Sequence, residues 1–400
     1  MTWTTLRLRV ATPLFNDSAG GRAGVWVPSI RGAMRFWFRA LVGAVIGPDL
    51  DGLHRVEARV FGSTEQSSPV RLRIPEILTP AAHAWPGWLN GHQAQWIGYL
   101  LGQGLYHPHR GLRRRYIDVG AEFDLLVRLP DEEEVAAGAL AALWLTCTYG
   151  GIGARVRRGF GGVRIVGVDG DLPQPWTAET IVTPGIERYA NIARLWPGDP
   201  VLGRCMSHLV AMARAAGVSV SADPWGDRPP TYPVFSRRYT AAALAPDDGT
   251  WTTILARAGE DLRHFRASQD YPDAGYHPPI KTPEWESVIH GDSDHFALGA
   301  LGLPIGYQHG FFVHADRGAS HQAEKLRRAS PLWLRVVGDG NRCRLLSFAF
   351  QGEFLPDGVG VHVWHHGQQR KNVTVKQDDV VTLTKRWIEA MRTGEAPDRT

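Results

Sequence analysis

The segment from Gly150 to Gly162 reads Gly-Gly-Ile-Gly-Ala-Arg-Val-Arg-Arg-Gly-Phe-Gly-Gly, six glycines and three arginines in thirteen residues. Glycine-rich loops of this density are found where a backbone approaches a phosphate closely, because a missing side chain exposes the amide N–H groups. A Walker loop requires Gly-Lys-Ser/Thr and a dinucleotide fingerprint requires strand, loop and helix in that order. This segment has no lysine, follows a helical pattern and leads into a strand pattern, so both nucleotide-binding readings fail on order. What remains is a polyanion site in which the backbone at Gly151, Gly153, Gly159 and Gly161 is open and Arg155, Arg157 and Arg158 supply charge and stacking planes. The competing explanation, Gly150 as a helix C-cap followed by a connector, accounts for one or two of the glycines.

A second group is Arg31, Arg35 and Arg39, spaced by four. On a helix they form one stripe about 12 Å long, a geometry able to follow a phosphate backbone. No acid lies between Asp17 and Asp49 to pair with them locally, although a solvated helix face would look the same. A third is the basic run Arg110-Gly-Leu-Arg113-Arg114-Arg115. Histidines occur at His107 and His109, at His362, His365 and His366, and at His295 after Asp292 and Asp294. None follows HExxH or another strong ligand spacing, so no metal or cofactor is expected. His107 or His109 beside Arg113 to Arg115 would fit metal-independent RNA cleavage, with a histidine as general base on a 2′-hydroxyl. Cys147, Cys205 and Cys343 are too far apart for a CxxC pair and read as small buried hydrophobes.

The elements that must position these residues follow from periodicity. Thr4 to Val10 alternate as a strand, and Ile30, Met34, Trp37, Leu41 and Val45 recur at helical spacing until Gly47-Pro48. Val56 to Phe61 and Val70 to Ile77 read as two strands of a hairpin. Residues 79–115 break the pattern and read as an insertion. Phe123 to Leu129, Glu132 to Tyr149 and Gly162 to Val168 then give strand, helix and strand. Without the insertion and one added strand this is β-α-β-β-α-β, the ferredoxin-like order. Asp169 to Pro184 is rich in proline and marks a boundary, giving an N-terminal unit of residues 1–170 and a C-terminal unit of residues 171–400. Beyond it, Val234 to Leu244, Thr250 to Ala267, Leu332 to Val337, Arg344 to Phe350 and Asp378 to Met391 repeat β-α-β-β-α without a closing strand. The expected fold is α+β, two tandem ferredoxin-like (RRM-like) domains, the second degenerate.

Length and composition agree with a folded chain of two cores: 400 residues, 44% apolar and 21% charged. No stretch approaches about 18 uncharged apolar residues, and Met1-Thr2-Trp3 does not open a signal peptide, so a cytoplasmic protein without membrane contact is expected. Residues 1–170 hold 19 arginines, no lysine and 14 acids, a net +5, whereas the remainder holds 25 basic and 26 acidic residues, a net −1. Of the 44 basic residues 39 are arginine, which suits nucleic acid and equally suits a GC-rich genome.

Taken together, Thr12-Pro13 with Phe15, Pro28-Ser-Ile-Arg-Gly32 running into Arg35-Phe-Trp-Phe-Arg39, Phe61-Gly-Ser-Thr64 and Gly150 to Gly162 resemble the RAMP proteins of CRISPR systems. Within them the chain is most similar to RAMP subunit one of the type III-B (Cmr) effector, with further matches at Leu298 to Ile305 and Arg327 to Leu332. The resemblance implies a non-catalytic subunit that binds guide (crRNA) and target RNA near the guide 3′ end, in antiviral defence, beside other RAMP subunits of the Cmr complex. It also implies RNA contact by the glycine-rich loop, carried here to Gly151 through Gly161. The rival expectation is a guide-processing RAMP endoribonuclease. A third is an assembly protein whose arginines meet acidic partners.

Overall fold

The computed structural model describes residues 2–16, 24–81, 83–189, 200–267, 288, 292–307, 310–317 and 325–397. The fold is α+β, and every pairing between its named strands is antiparallel. Strand β1 (Thr4–Val10) leads to helix α1 (Val27–Ile46), helix α2 (Leu50–Phe61) and the short strand β2 (Arg71–Arg73). Strand β5 (Glu122–Arg128), helix α4 (Glu133–Thr148) and strand β6 (Val163–Asp169) complete the first sheet, whose order is β2-β5-β1-β6. Between β2 and β5 lie helix α3 (Ala94–Leu101) and a two-stranded ribbon, β3 (Tyr106–His107) with β4 (Gly111–Leu112).

Alternation in β1 puts Leu6, Leu8 and Val10 fully in the core. They face Leu125 and Phe123 on one side and Ile165 and Val163 on the other, with Ile30, Met34, Trp37 and Phe38 of α1 in the same core. Every residue of α4 from Val135 to Thr148 is buried. It is enclosed because α5 (Pro200–Ala215), a helix the sequence reading does not contain, brings Leu209 and Met212 against Gly138.

The expected strand at Val56–Phe61 is instead the last half of α2. Asp49 caps that helix by accepting a hydrogen bond from the Gly52 N–H at 2.7 Å, and Leu53, Val56 and Val60 bury one helical face. The hairpin expected with Val70–Ile77 is therefore absent, and that segment is trimmed to β2.

The second half contains β7 (Thr240–Leu244), α6 (Trp251–Ala267), β11 (Leu332–Val337), β12 (Arg344–Phe350) and α7 (Gln377–Thr393), with sheet order β11-β12-β7. These elements fall where the sequence places them, except that the strand expected over Val234–Leu244 is trimmed to Thr240–Leu244 behind a turn at residues 237–239, and the β11–β12 turn uses Gly338 and Gly340 at φ 96° and 56°. A further five-stranded sheet, β8 (Ile305–Gly306), β9 (Phe311–Asp316), β10 (Lys325–Leu326), β13 (Gly360–His365) and β14 (Gln368–Val373), was not expected.

The two cores do not divide at residue 170. Trp176, Ile181, Tyr189, Leu209 and Val218 belong to the first, while Leu89, Ile97, Leu100 and Leu105 of the insertion, with Tyr116 just beyond it, belong to the second. The insertion packs α3 on α6, with Trp88 edge-on to Trp251 at 5.7 Å.

Candidate nucleic-acid interface

The glycine-rich loop joins α4 to β6 and runs beside β11, where Leu334 N–H donates to the Arg157 carbonyl at 3.2 Å. Its amides mostly face inward. Ile152 N–H donates to Gly161 O, Gly161 N–H to Pro13 O, Ala154 N–H to Phe15 O, and Gly162 N–H to the Thr12 hydroxyl. Each of the six glycines also faces an atom of this chain that a Cβ would strike. Gly151 packs on Gly161 O, Gly159 on Leu255 and Gly150 on Trp37; Gly153 at φ 91° and Gly161 at φ 67° combine close carbonyls with left-handed backbone. Close internal packing is thus a sufficient reason for all six glycines, and of the four expected to open the backbone Gly161 has its N–H taken up by Pro13 O while Gly153 is exposed.

The three loop arginines go to different places. Arg155, at φ 63°, lays its guanidinium against Gly102 of the insertion. Arg158 is enclosed with its Nη1 lacking a hydrogen-bond partner, and burial, then Arg266, push its pKa down to about 10. Arg157 donates to Ser330 O at 2.9 Å and lies over the Trp333 ring at 4.9 Å and the Phe36 ring at 5.8 Å.

Arg157 of the first half and Trp333 form one wall of a small cleft of about 40 Å³, completed from the second half by Arg328, Tyr232, Pro331 and Phe350. Burial, then the nearby Arg328, lower Arg157 to about 10. Arg328 is itself lowered by burial, and its Nε has no hydrogen-bond partner among the described residues. The carboxylate lining this cleft is Glu353, which partly offsets Arg328. Two guanidinium groups half out of water, repelling each other across one carboxylate, are stabilised by an added anion. The half-buried Tyr232 ring offers aromatic surface at this site, whereas Trp333 is 4% exposed, with Phe348 stacked on its ring at 5.5 Å and Arg157 over it. Sequence reasoning reached Arg157 but missed Arg328, Trp333 and Tyr232 as site residues. Arg328 and Trp333 lie in or beside the Arg327–Leu332 segment that carried part of the resemblance, and nothing in local periodicity brings them to the loop.

The helix stripe is arranged otherwise. Arg39 makes a bidentate pair with Glu57 of α2, its Nη2 at 2.9 Å from Oε1, and Arg35 Nη1 lies 3.3 Å from the same carboxylate. Arg35 also donates to the Phe61 and Gly62 carbonyls at 3.1 and 3.0 Å, and Arg31 to Val70 O at 3.2 Å. The local absence of acids is made good by Glu57, eighteen residues beyond Arg39 and 4% exposed.

Arg113, Arg114 and Arg115 are exposed on the insertion. His107 and His109 lie in the β3–β4 turn, where the His109 N–H donates to His107 Nδ1 at 3.1 Å, and slight desolvation, then Arg113 and Arg110, lower the His107 pKa. The structure does not bring these histidines to the cleft residues. His295 Nε2 pairs with Asp379 at 2.9 Å, His362 Nε2 faces the buried Asp316 at 3.1 Å, and His365 stacks on Phe311 at 4.0 Å. Among the described residues no three His, Cys, Asp or Glu side chains are grouped to hold a metal, and no helix is long and apolar enough to cross a membrane.

The model of the RAMP superfamily matches residues 7–164, from β1 through the glycine-rich loop to β6. The CRISPR system Cmr subunit Cmr1-1 of Pyrococcus furiosus is 32% identical over 338 residues, 84% of this chain and 83% of that protein. Cmr1-2 of the same organism is 30% identical over 173 residues, 40% of this chain and 92% of that one. The crystal structure of Cmr1 from Pyrococcus furiosus in its apo form superimposes with a TM-score of 0.57 at 22% identity, covering 96% of this chain and 97% of the other, so the folds agree. With one third of its residues matched across most of both lengths, and with the RAMP segment spanning its first sheet, the chain belongs to the Cmr1 family of CRISPR RAMP proteins.

Proposed function

We propose that this protein is a non-catalytic RNA-binding subunit of a type III-B (Cmr) guide-RNA effector, binding guide and target RNA near the guide 3′ end in the cytoplasm, beside other RAMP subunits. Family membership supports the assembly. The cleft supports the RNA, and the observation that carries the reading is the facing pair Arg157 and Arg328, two partly desolvated cations beside the half-buried Tyr232 ring. The fold is read as two ferredoxin-like units. The first sheet has its fourth strand, first, third and second in that spatial order, and the second half repeats second, third and first, without the fourth. The cleft between such units is where a strand of RNA held by phosphate and stacking would pass, leaving sequence discrimination to guide pairing.

The chain's own histidines support a binding role over a nuclease role. His107 has its Nδ1 engaged by the His109 N–H and sits among arginines on an exposed turn, and no carboxylate bonds it among the described residues.

The test is single-stranded RNA binding by fluorescence anisotropy across a salt series, with melting measured in parallel. Arg157→Ala with Arg328→Ala should weaken binding about ten- to a hundredfold. It should also lower the log–log salt slope by roughly 0.7 for each phosphate that is no longer neutralised, irrespective of sequence. Unchanged affinity in that folded double variant would remove the cleft as the RNA site.

A further inference from the structure

The insertion carries a feature the cleft does not need. From Ile77 to Ile117, 41 residues contain no aspartate or glutamate, while holding Arg110, Arg113, Arg114 and Arg115 and four histidines. Arg110, Arg113 and Arg115 are exposed, and no carboxylate pairs with them among the described residues. In the same place Trp85 is 45% exposed.

A single exposed indole is ordinary on a protein surface. This one is held rigidly. Its ring stands edge-on to Tyr106 of β3 at 6.2 Å, and the preceding Ala84 carbonyl accepts from Leu112 N–H of β4 at 2.8 Å. Gly111, at φ 69°, lies so close under it that a Cβ there would come within 3.0 Å of the indole. The β3–β4 ribbon therefore fixes the indole beside the turn that bears Arg110, and Arg113 N–H donates to Leu105 O on the way out of that ribbon.

The patch is also continuous with the glycine-rich loop. Arg155 of that loop rests on Gly102, which accepts hydrogen bonds from Leu105 and Tyr106 N–H. On α6 beneath, Arg263 lies over Tyr99 at 5.3 Å, and Arg266 is near enough to Arg158 to lower its pKa. Positive charge thus runs from the cleft arginines across the loop to the insertion.

We propose that the insertion is a second single-stranded RNA contact, in which a base stacks on Trp85 while Arg110, Arg113 and Arg115 hold adjoining phosphates. The proposal rests on the RNA-binding reading and extends it to a separate surface. RNA is favoured over an acidic protein because a rigid exposed indole beside unpaired guanidinium groups answers both parts of a nucleotide, whereas an acidic surface would need the arginines alone.

The test uses the full chain and a 20-nucleotide single-stranded RNA containing 5-iodouridine. Irradiation should attach RNA to Trp85, located by mass spectrometry of the wild-type protein, which needs no variant to fold. Trp85→Ala should weaken binding about five- to a hundredfold at constant salt with melting unchanged, Trp85→Phe should retain most of it, and the triple change Arg110→Ala, Arg113→Ala, Arg115→Ala should lower the salt slope by up to about 2. Wild-type affinity in the Trp85 and triple variants without a Trp85 crosslink, alongside weakened binding in the Arg157 and Arg328 double variant, would overturn this inference and leave the cleft reading standing. No RNA binding by the wild-type chain at low salt would overturn both. Wild-type RNA affinity in the triple variant, together with abolished binding of polyglutamate, would make the patch a protein dock and overturn the proposal.

Discussion

Arg35 and Arg39 share the carboxylate of Glu57, which sits on the next helix and is 4% exposed. The pair to Arg39 is bidentate, and the hydrogen bonds it donates to Glu57 raise the Arg39 pKa. Removing one partner leaves a buried carboxylate only partly compensated, which costs more than the pair contributes when intact. Arg39→Ala should therefore lower stability by about 1–2 kcal/mol, a figure reduced from the fully buried case because the Arg39 side chain is 49% exposed. Urea unfolding measures it, and RNA affinity of the folded variant should be unchanged. Weakened RNA binding with normal unfolding would instead restore the stripe as a phosphate track. The spacing of these arginines was legible, but their partner was not, because Glu57 belongs to a segment whose apolar residues also fit a strand.

Helices and strands with strong period and clear stops were legible, and elements defined by distant packing were not. β1, α1, β5, α4, β6, β11 and β12 have alternation or helical spacing bounded by glycine and proline, so local pattern and tertiary fold agree. α2 was misread because Val56, Val60 and Phe61 fit either period until the Asp49 cap is considered. α5 and the five-stranded sheet escaped because their apolar positions, such as Leu209 of α5 against α4 or Val313 and Val363 in the second core, are explained by partners far along the chain. The internal packing of the glycine loop was not legible for the same reason, since Phe15, Trp37 and Leu255, which its glycines pack on, are remote in sequence. On α6 a similar burial acts on charge. Asp261 is raised to about 6 by desolvation, against 3.8 in an unfolded chain, despite the nearby Arg257. The folded state binds this proton first as pH falls, so the carboxylate destabilises the protein above pH 6 and the penalty fades as pH falls toward 4. Asp261→Asn should stabilise by about 1–2 kcal/mol at pH 7.5, with the gain shrinking toward pH 4. A gain independent of pH in urea unfolding would contradict this cause.

The whole molecule depends on how its halves meet, since Arg157 of the first half completes a cleft otherwise lined by the second. Phe36 and Trp37 of α1 meet Trp333 of β11 at 5.3 Å each, and Phe235, Phe348 and Phe350 enclose the joint. Through this apolar seam passes Arg335, 3% exposed, whose Nη2 donates to the Cys147 and Val163 carbonyls at 2.8 Å each. No carboxylate pairs with it among the described residues, and burial lowers its pKa. It joins α4 and β6 of one half to β11 of the other, and Gly162 lacks a side chain where a Cβ would strike the guanidinium. Arg335→Met keeps the apolar stem and removes the desolvated charge, but leaves two buried carbonyls without donors, so it should destabilise by about 2–4 kcal/mol. The loss acts where β11 meets α4 and β6, in the first core that Trp37, Trp333, Phe348 and Phe350 share. Urea unfolding should change from one transition to two as the halves uncouple, and RNA affinity should fall although Arg157 and Arg328 are intact. Gly162→Ala displaces the same guanidinium from the other side and should reproduce both effects. A single, uniformly shifted transition in both variants, with wild-type RNA affinity below it, would mean that the aromatic seam alone holds the halves in register.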